Sequence, residues 1–229
     1  PRGPRARRRP PAKVNLGLRL VGRREDGYHL LESLFAPVAL FDDVVVERLG
    51  EKGDVELSVS HDPTLPPALS EVTAGADNLV VRAAEAFRRA SGIVEGLRIT
   101  LAKRIPSGAG LGGGSSDAGA VLSALTELFG AASPSPDEVF AAALGLGADV
   151  PFFLAPRPAL VQGIGERIEV LSSFPAFPLL LANAGVSVAT AEVYRIADTL
   201  SGSLTETGAG STMRSVSRLR DESVDRASA

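Results

Sequence analysis

The sequence predicts an α+β fold in which strands and helices follow one another without strict βαβ alternation. Apolar residues alternate with a period of two along 11–50 and 96–105, a pattern typical of strands with one buried face. Along 78–90 and 115–129 the apolar residues recur at helical spacing instead. A serine, a proline and a glutamate within 135–138 form a capping box and predict the start of a further helix.

The first part of the chain is predominantly strand-like. Within 11–50, a turn signal at Asp26–Gly27 separates an alternating segment from a β-branched run at 44–46, so at least two strands are expected there. Another strand is expected at 54–60, and the proline-rich segment 61–77 is predicted to be a loop.

The later part of the chain is predicted to hold one more helix and a second strand-rich region. Gly145 and Gly147 offer a stop to the capped helix. Segments 158–171 and 177–184 are apolar and strand-like, and 191–197 is expected to be a short helix.

Both ends of the chain have a composition typical of disorder. Residues 1–10 hold five arginines among prolines and are predicted to be a disordered leader. Residues 199–229 lack a hydrophobic period and are predicted to be a disordered or aberrant tail. The apolar segments that precede this tail are therefore expected to be incompletely covered.

Composition excludes several classes of site. The chain has no cysteine, which rules out disulfides, zinc–cysteine centres and a cysteine nucleophile. Its net charge of −3 gives no general case for binding nucleic acid or a membrane. No apolar run approaches the ~20 residues of a membrane span, so a soluble protein is expected, and the lack of cysteine is compatible with a cytoplasmic one. No metal-ligating cluster is predicted.

A glycine-rich loop is the strongest chemical signal. Residues 105–117 read IPSGAGLGGGSSD and lie between a predicted strand and a predicted helix. Glycine permits positive φ angles and lets the backbone approach a ligand closely. The free N–H groups at the start of the following helix attract an anion. The loop is therefore predicted to cradle phosphate.

Three other interpretations of this loop are weaker. It fits the dinucleotide pattern GxGxxG, but it lies a hundred residues into the chain, without an acidic residue ~20 positions later. No Gly-Lys-Ser/Thr closes it, so it is not a Walker A loop. A flexible linker is disfavoured by its tight placement between strand and helix.

Several motifs in order along the chain resemble those of the GHMP kinases. They are PAKVNL at 11–16, DGYH at 26–29, DNL at 77–79, the glycine loop, LGADVP at 146–151, GIGE at 163–166 and the segment 186–194. The resemblance runs from about 10 to 196. It implies a ribosomal-S5-domain-2-like N-terminal domain over 11–157 and a partial ferredoxin-like C-terminal domain over 158–198.

The resemblance also implies an activity and a set of site residues. It implies phosphoryl transfer from ATP with Mg²⁺ to a small cytidylyl alcohol, by a monomer or weak homodimer. Lys13 and Asp149 would be catalytic. The alcohol would be bound by Asn15, Tyr28, His29, Ile164 and Tyr194. ATP would be bound by Asn78, Lys103, Pro106, Gly108, Gly110, Leu111, Gly112, Gly113, Gly114, Ser115, Ser116 and Thr190.

Without the resemblance, these residues have ordinary interpretations too. Asp149 at a helix end would usually be a solvated turn residue, and Lys13 a solvent-facing lysine of a strand. The chain has only three lysines, however, of which Lys13 lies inside PAKVNL and Lys103 lies two residues before the glycine loop. The third glycine motif of the family is not found. The alternatives are therefore another small-molecule kinase of the family, or an inactive, truncated nucleotide-binding remnant.

Overall fold

The computed structural model describes residues 3–23, 25, 29–70, 72–185, 193 and 196, with the backbone alone at Arg23 and His29. Within these residues the strands are β1 Arg5–Arg8, β2 Pro11–Arg23, β3 His29–Phe41, β4 Asp43–Lys52, β5 Val55–His61, β6 Glu95–Lys103, β7 Ala159–Gly163 and β8 Arg167–Val170. The helices are α1 Pro67–Ser70, α2 Leu79–Ser91, α3 Gly113–Phe129 and α4 Pro136–Leu146, with 3₁₀ turns at Gly130–Ala132 and Pro151–Leu154.

The first sheet has the order β1-β4-β6-β5 and carries the larger core. Its strands are antiparallel except for the parallel pair β5 and β6. Alternate residues of β4 and β6 point into a core that α2 and α3 cover, as the period-two pattern predicts. Its fully buried side chains include Val44, Val46, Leu97, Ile99, Leu101, Phe87, Leu122 and Leu125. This core fixes α3, and with it the glycine loop that leads into α3.

The second sheet has the order β2-β3-β7-β8 and is antiparallel throughout. The long pair β2 and β3 has three register shifts, after Pro11, Asn15 and Leu20. Such bulges re-aim the side chains beside them. Phe35 of this sheet packs edge-on against Phe152, with 5.2 Å between ring centroids, and this contact joins β3 to the turn that follows α4.

The prediction of a disordered leader over residues 1–10 is wrong for the arginine-rich part. Arg5–Arg8 form β1, which pairs with β4 and buries Ala6. The Arg7 guanidinium lies 2.6 Å from the Asp43 carboxylate. Composition suggested disorder because it takes no account of β4, whose edge provides hydrogen bonds for the arm and whose Asp43 pairs with an arginine.

Two further sequence predictions are corrected. Residues 177–184 form no strand, because no strand in the described part of the chain pairs with them. The segment 61–77 is not entirely loop, since α1 lies within it. The helices expected at 78–90, 115–129 and from Ser135 are confirmed. The turn at Asp26–Gly27, the helix at 191–197 and the tail at 199–229 lie outside the described residues, apart from Val193 and Ile196.

Candidate active site

An open cleft of about 630 Å³ lies where β2, β3, the glycine loop and the end of α4 meet. One side is formed by the loop between Pro106 and Ser115. Lys13 and Asn15 of β2 and Phe35 of β3 line the opposite side, and Asp149 lies at the same cleft. The second sheet, the glycine loop and the segment after α4 therefore meet around one space large enough for a small ligand.

The glycine loop has the backbone that its sequence predicts. Gly108, Gly110 and Gly112 have φ angles of +67°, +74° and +71°, in the left-handed region that favours glycine. Gly112 is also the N-cap of α3 and makes no side-chain capping bond, so the first N–H groups of α3 are not satisfied by a cap. A Cβ atom on Gly112 would lie 3.0 Å from Cζ of Phe153 and 3.2 Å from Cε of Lys13.

Hydrogen bonds fasten this loop to β2. The Lys13 N–H donates to the Leu111 carbonyl (2.9 Å), and the Ser116 hydroxyl donates to the Pro11 carbonyl (2.6 Å). The interpretation of the loop as a flexible linker does not fit these contacts. They also bring the first strand of the second sheet against the helix terminus.

Lys13 and Asp149 form the polar centre of the cleft. The Lys13 ammonium donates to Oδ1 of Asn15 (2.5 Å), lies 3.4 Å from Oδ2 of Asp149 and stands 4.9 Å from the centroid of the Phe35 ring. Lys13 is only 6% exposed, so its charge is largely removed from water. Asn15 donates in turn to the Ser33 hydroxyl (2.8 Å), which donates to the Gly17 carbonyl (2.8 Å). This chain of bonds fixes the direction of the ammonium.

Asp149 lies in the short segment after α4. α4 begins with the predicted capping box and ends at Leu146. The Val150 N–H donates to the Gly147 carbonyl (3.0 Å), and a 3₁₀ turn begins at Pro151. Val150 is fully buried, whereas the Asp149 side chain keeps 31% exposure toward the cleft. The buried Val150 thus fixes the backbone next to Asp149, whose carboxylate stays accessible to solvent.

A second charged cluster lies beneath the loop. Lys103 at the end of β6 is enclosed by the carboxylates of Asp42 and Asp117, with 2.7 Å to Oδ2 of Asp117. Oδ1 of Asp42 also accepts the N–H groups of Arg104 (2.5 Å) and Ile105 (2.8 Å). A Cβ on Gly113 would lie 3.1 Å from the Lys103 ammonium, so this cluster directly supports the first turn of α3.

The charges of this cluster shift the pKa values of its members. Burial raises the pKa of Asp117 to about 8, and the attraction of Lys103 only partly opposes this effect. Burial would lower the pKa of Lys103, but the two carboxylates outweigh it and the pKa is raised. Oδ1 of Asp117 is buried without a hydrogen-bond partner within the described structure. A neutral Asp117 beside a charged Lys103 fits these surroundings.

Most of the predicted site residues lie at the cleft. Its lining includes Lys13, Asn15, Lys103, Pro106, Gly108, Gly110, Gly112, Gly113, Gly114, Ser115 and Asp149. Leu111 and Ser116 tie the loop to β2 instead of lining the cleft. Asn78 is the N-cap of α2 and accepts the Val80 N–H (2.9 Å). Ile164 lies in the turn between β7 and β8. Tyr28, Thr190 and Tyr194 lie outside the described residues, and the side chain of His29 is not described.

Sequence reasoning missed the residues that support this site. Lys103 forms an ion pair with Asp42, Asn15 donates to the Ser33 hydroxyl, and the Phe153 ring lies beside Gly112. Each of these partners is distant in sequence from the residue it contacts. Of the supporting residues, only Asp117 could have been noticed in the sequence, because it closes the glycine motif.

Among the described residues, no group of three or more histidine or acidic side chains could hold a metal ion. No described helix is long and apolar enough to cross a membrane.

Comparison with known proteins assigns the glycine loop and its surroundings to a family. Residues 78–156 match the model of the GHMP kinases N terminal domain. This segment is a GHMP kinase N-terminal domain. The match includes α2, β6, the glycine loop, α3, α4 and Asp149, which is to say the loop side of the cleft.

Individual relatives extend the similarity toward both ends of the chain. A 4-diphosphocytidyl-2-C-methyl-D-erythritol kinase of Deinococcus radiodurans is 43% identical over 188 residues, which are 82% of this chain and 59% of the relative. The Thermus thermophilus protein of that name is 46% identical over 185 residues, 81% of this chain and 60% of the relative. The chain thus spans about three fifths of the length of the curated relatives it matches.

A solved structure shows the same similarity in three dimensions. The crystal structure of a 4-(cytidine 5'-diphospho)-2C-methyl-D-erythritol kinase is 46% identical, with a TM-score of 0.60 over 83% of this chain and 63% of that one. The predicted mixture of strands and helices is confirmed as the mixed α/β fold of the GHMP kinases.

Proposed function

We propose that this chain is the ATP-binding part of a small-molecule kinase that phosphorylates the 2-hydroxyl of 4-diphosphocytidyl-2-C-methyl-D-erythritol, a step of isoprenoid precursor biosynthesis. The observation that carries the proposal is the placement of the Lys13–Asp149 pair, 3.4 Å apart, in the same cleft as the glycine loop and the start of α3. The names and identities of the relatives support the choice of acceptor.

The glycine loop is the proposed site for the phosphates of ATP. Gly108, Gly110 and Gly112 have positive φ angles, and the uncapped N–H groups of α3 provide donors and a favourable helix dipole. Lys103 is only 3% exposed and forms an ion pair with Asp42, so we assign it to supporting the loop and not to binding phosphate directly. Mg²⁺ would bind together with ATP and neutralise part of the charge of its phosphates. It would need few protein ligands, because this ion keeps several of its waters.

Lys13 and Asp149 are proposed to act on the acceptor hydroxyl. Asp149 accepts the proton of the acceptor hydroxyl while the oxygen of that hydroxyl forms a bond to the γ-phosphorus of ATP. The bond between the γ-phosphorus and the β–γ bridging oxygen breaks, and ADP leaves. Lys13 stabilises the negative charge of the transferring group. Phosphoryl transfer needs positioning and charge neutralisation more than a strong base, and the fixed Lys13–Asn15–Ser33 chain provides positioning.

The acceptor is proposed to lie along the second sheet. Asn15 offers an amide within the cleft, and Leu31 and Phe35 of β3 give it an apolar wall. We propose that Tyr28, His29, Ile164 and Tyr194 complete the pocket for the cytidine, since an aromatic ring beside a hydrogen-bonding imidazole suits a nucleobase.

The remaining parts of the proposal concern organisation. We propose a ribosomal-S5-domain-2-like domain over 11–157 and the beginning of a ferredoxin-like domain over 158–198. A cytoplasmic monomer or weak homodimer that binds no nucleic acid is consistent with a net charge of −3.

A panel of alcohols tests the proposed acceptor. The full chain is incubated with ATP, Mg²⁺ and one alcohol at a time, namely the cytidylyl alcohol, homoserine or mevalonate, and the phosphorylated product is identified by ³¹P NMR. We expect a phosphomonoester only with the cytidylyl alcohol. Product from homoserine or mevalonate instead would assign the chain to another kinase of the family. Release of phosphate without any ester would contradict kinase activity.

A further inference from the structure

The turn between β7 and β8 lies directly against the segment that carries Asp149. β7 ends at Gly163 and β8 begins at Arg167, so the turn is formed by the GIGE motif at 163–166. Gly165 is buried, although it lies in a turn, and its N–H donates to the Gln162 carbonyl (3.3 Å). A buried glycine at a turn indicates close contact with another part of the chain.

The contact of Gly165 is with the peptide that leads into Asp149. A Cβ atom on Gly165 would overlap the carbonyl oxygen of Ala148 and lie 2.9 Å from its carbonyl carbon. These two atoms belong to the peptide bond between Ala148 and Asp149. Any side chain at this position would therefore have to displace the backbone of Asp149, or the turn itself.

The turn is fixed by its own geometry as well as by the sheet. Gly163 and Gly165 have φ angles of +76° and +118°, which residues with a side chain rarely adopt. The Glu166 carboxylate accepts the Ile164 N–H (2.6 Å) and so closes the turn. β7 pairs with β3, where Gly163 lies opposite Leu31, a residue of the cleft. These contacts fix the turn in position relative to the sheet that carries Lys13.

From these contacts we propose that the turn at 163–166 is a positioning element for Asp149, in which Gly165 sets the distance between the Asp149 carboxylate and the Lys13 ammonium. Asp149 is then held from two sides. α3 holds the 3₁₀ turn that follows it, since Gly119 lies so close to Phe153 that a Cβ there would be 2.9 Å from the Phe153 carbonyl carbon. Gly165 holds the peptide that precedes it. This inference deepens the proposed function and rests on it.

The position of Asp149 can be followed without any catalytic activity. Because the chain has three lysines, Lys13, Lys52 and Lys103, lysine labelled with ¹³C at Cε gives three NMR signals in the full chain. Lys13→Arg identifies the Lys13 signal. Asp149→Ala defines how that signal moves when the carboxylate is lost from its position 3.4 Å away.

Matched glycine variants separate the contact from the backbone strain. Gly165→Ala should move the Lys13 signal most of the way toward its position in Asp149→Ala. Gly50→Ala and Gly92→Ala add backbone strain at φ angles of +82° and +73°, at positions where nothing lies within 4 Å of the new methyl group. Neither control should move the Lys13 signal. An unmoved signal in folded Gly165→Ala would overturn the proposal, as would equal movement in all three variants.

A second variant keeps the test decisive if Gly165→Ala does not fold. Glu166→Ala removes the carboxylate that closes the turn and adds no overlap, so the Lys13 signal should move in the same direction by a smaller amount. An unchanged signal in folded Glu166→Ala would overturn the proposal.

Kinetics add a readout that a merely structural glycine would not give. If the wild-type chain phosphorylates the alcohol, Gly165→Ala should lower kcat by about 10- to 100-fold, the range expected for ~1 Å of misplacement, and leave the Kd for ATP within about twofold. Normal kcat in this variant would overturn the positioning role. Absence of turnover in the wild-type chain would instead count against the proposed function, and the NMR result would still decide the role of Gly165.

Discussion

Asp117 illustrates how burial changes the chemistry of a single residue. Its carboxyl group is held beside Lys103, yet one oxygen lacks a partner in the described structure and burial raises its pKa to about 8. Asp42, the other carboxylate of the cluster, is fully satisfied by two backbone N–H groups and the same lysine. Burial disfavours the charged form of the Asp117 carboxyl group, and its unpartnered oxygen has no hydrogen bond to offset this effect.

The raised pKa of Asp117 predicts that the stability of the fold depends on pH. Because the pKa of Asp117 is about 8 in the folded chain and 3.8 when unperturbed, the folded state binds more protons between these values. The free energy of unfolding should therefore fall as the pH rises from about 4 to about 8, by up to ~1.4 kcal/mol per pH unit from this group. Urea unfolding at pH 5 and pH 8 measures the change.

The control for this prediction is a pair of asparagine variants. Asp117→Asn should flatten the dependence, because an amide does not titrate. Asp137→Asn, in the exposed first turn of α4, should leave it as in the wild type. The same pH dependence in Asp117→Asn and the wild type would show that Asp117 is charged in the folded chain.

At the scale of elements, the glycine loop and α3 act as one unit. The sequence predicted the glycine loop and the helix that follows it correctly as local features, because glycine content and helical period are local signals. It could not predict that β2 fastens the loop through Lys13 and Pro11, since those contacts join residues about a hundred positions apart. The strand β1 was missed for the same reason: its partner β4 is remote in sequence.

A substitution in the loop should separate phosphate binding from stability. Gly112 has φ +71°, and a Cβ there would press on Phe153 and Lys13. Gly112→Ala should weaken ATP binding roughly tenfold or more, since a residue strained by ~1–3 kcal/mol shifts the loop that receives the phosphates. Gly130→Ala has the same kind of strain at φ +50°, at the other end of α3, with nothing within 4 Å. It should leave ATP binding unchanged. Equal Kd values from calorimetric titration of the two variants would contradict the cradle.

At the scale of the whole molecule, the described chain ends in an exposed apolar segment. Phe177, Leu179 and Leu181 are 46%, 43% and 43% exposed, and Leu180 is 94% exposed. The apolar composition of 177–184 predicted a strand, but a strand forms only where another strand provides hydrogen bonds. The sequence therefore indicated that the side chains of 177–184 need burial. It did not indicate that none of the described strands pairs with this segment.

This exposure predicts that the chain self-associates. A contiguous apolar surface is removed from water when two copies meet, so sedimentation velocity should show a larger apparent mass as concentration rises. Leu180→Ser should reduce this association and leave the unfolding free energy almost unchanged. Val94→Ser, a control at another exposed apolar residue (56%), should not reduce it. Association unaffected by Leu180→Ser would place the contact elsewhere on the chain.

We propose that this cleft transfers the γ-phosphoryl group, with Asp149 at the acceptor and the glycine loop at ATP. A single-turnover experiment with the full chain, ATP, Mg²⁺ and the cytidylyl alcohol tests it most directly, with ADP and phosphorylated alcohol measured together. We expect the two products in equal amounts from the wild type. Asp149→Asn should lower the rate by ~10²–10⁴-fold, as expected for loss of an acid–base or positioning group, with the Kd for ATP unchanged. Full activity in Asp149→Asn, or ADP formed without phosphorylated alcohol, would contradict the claim.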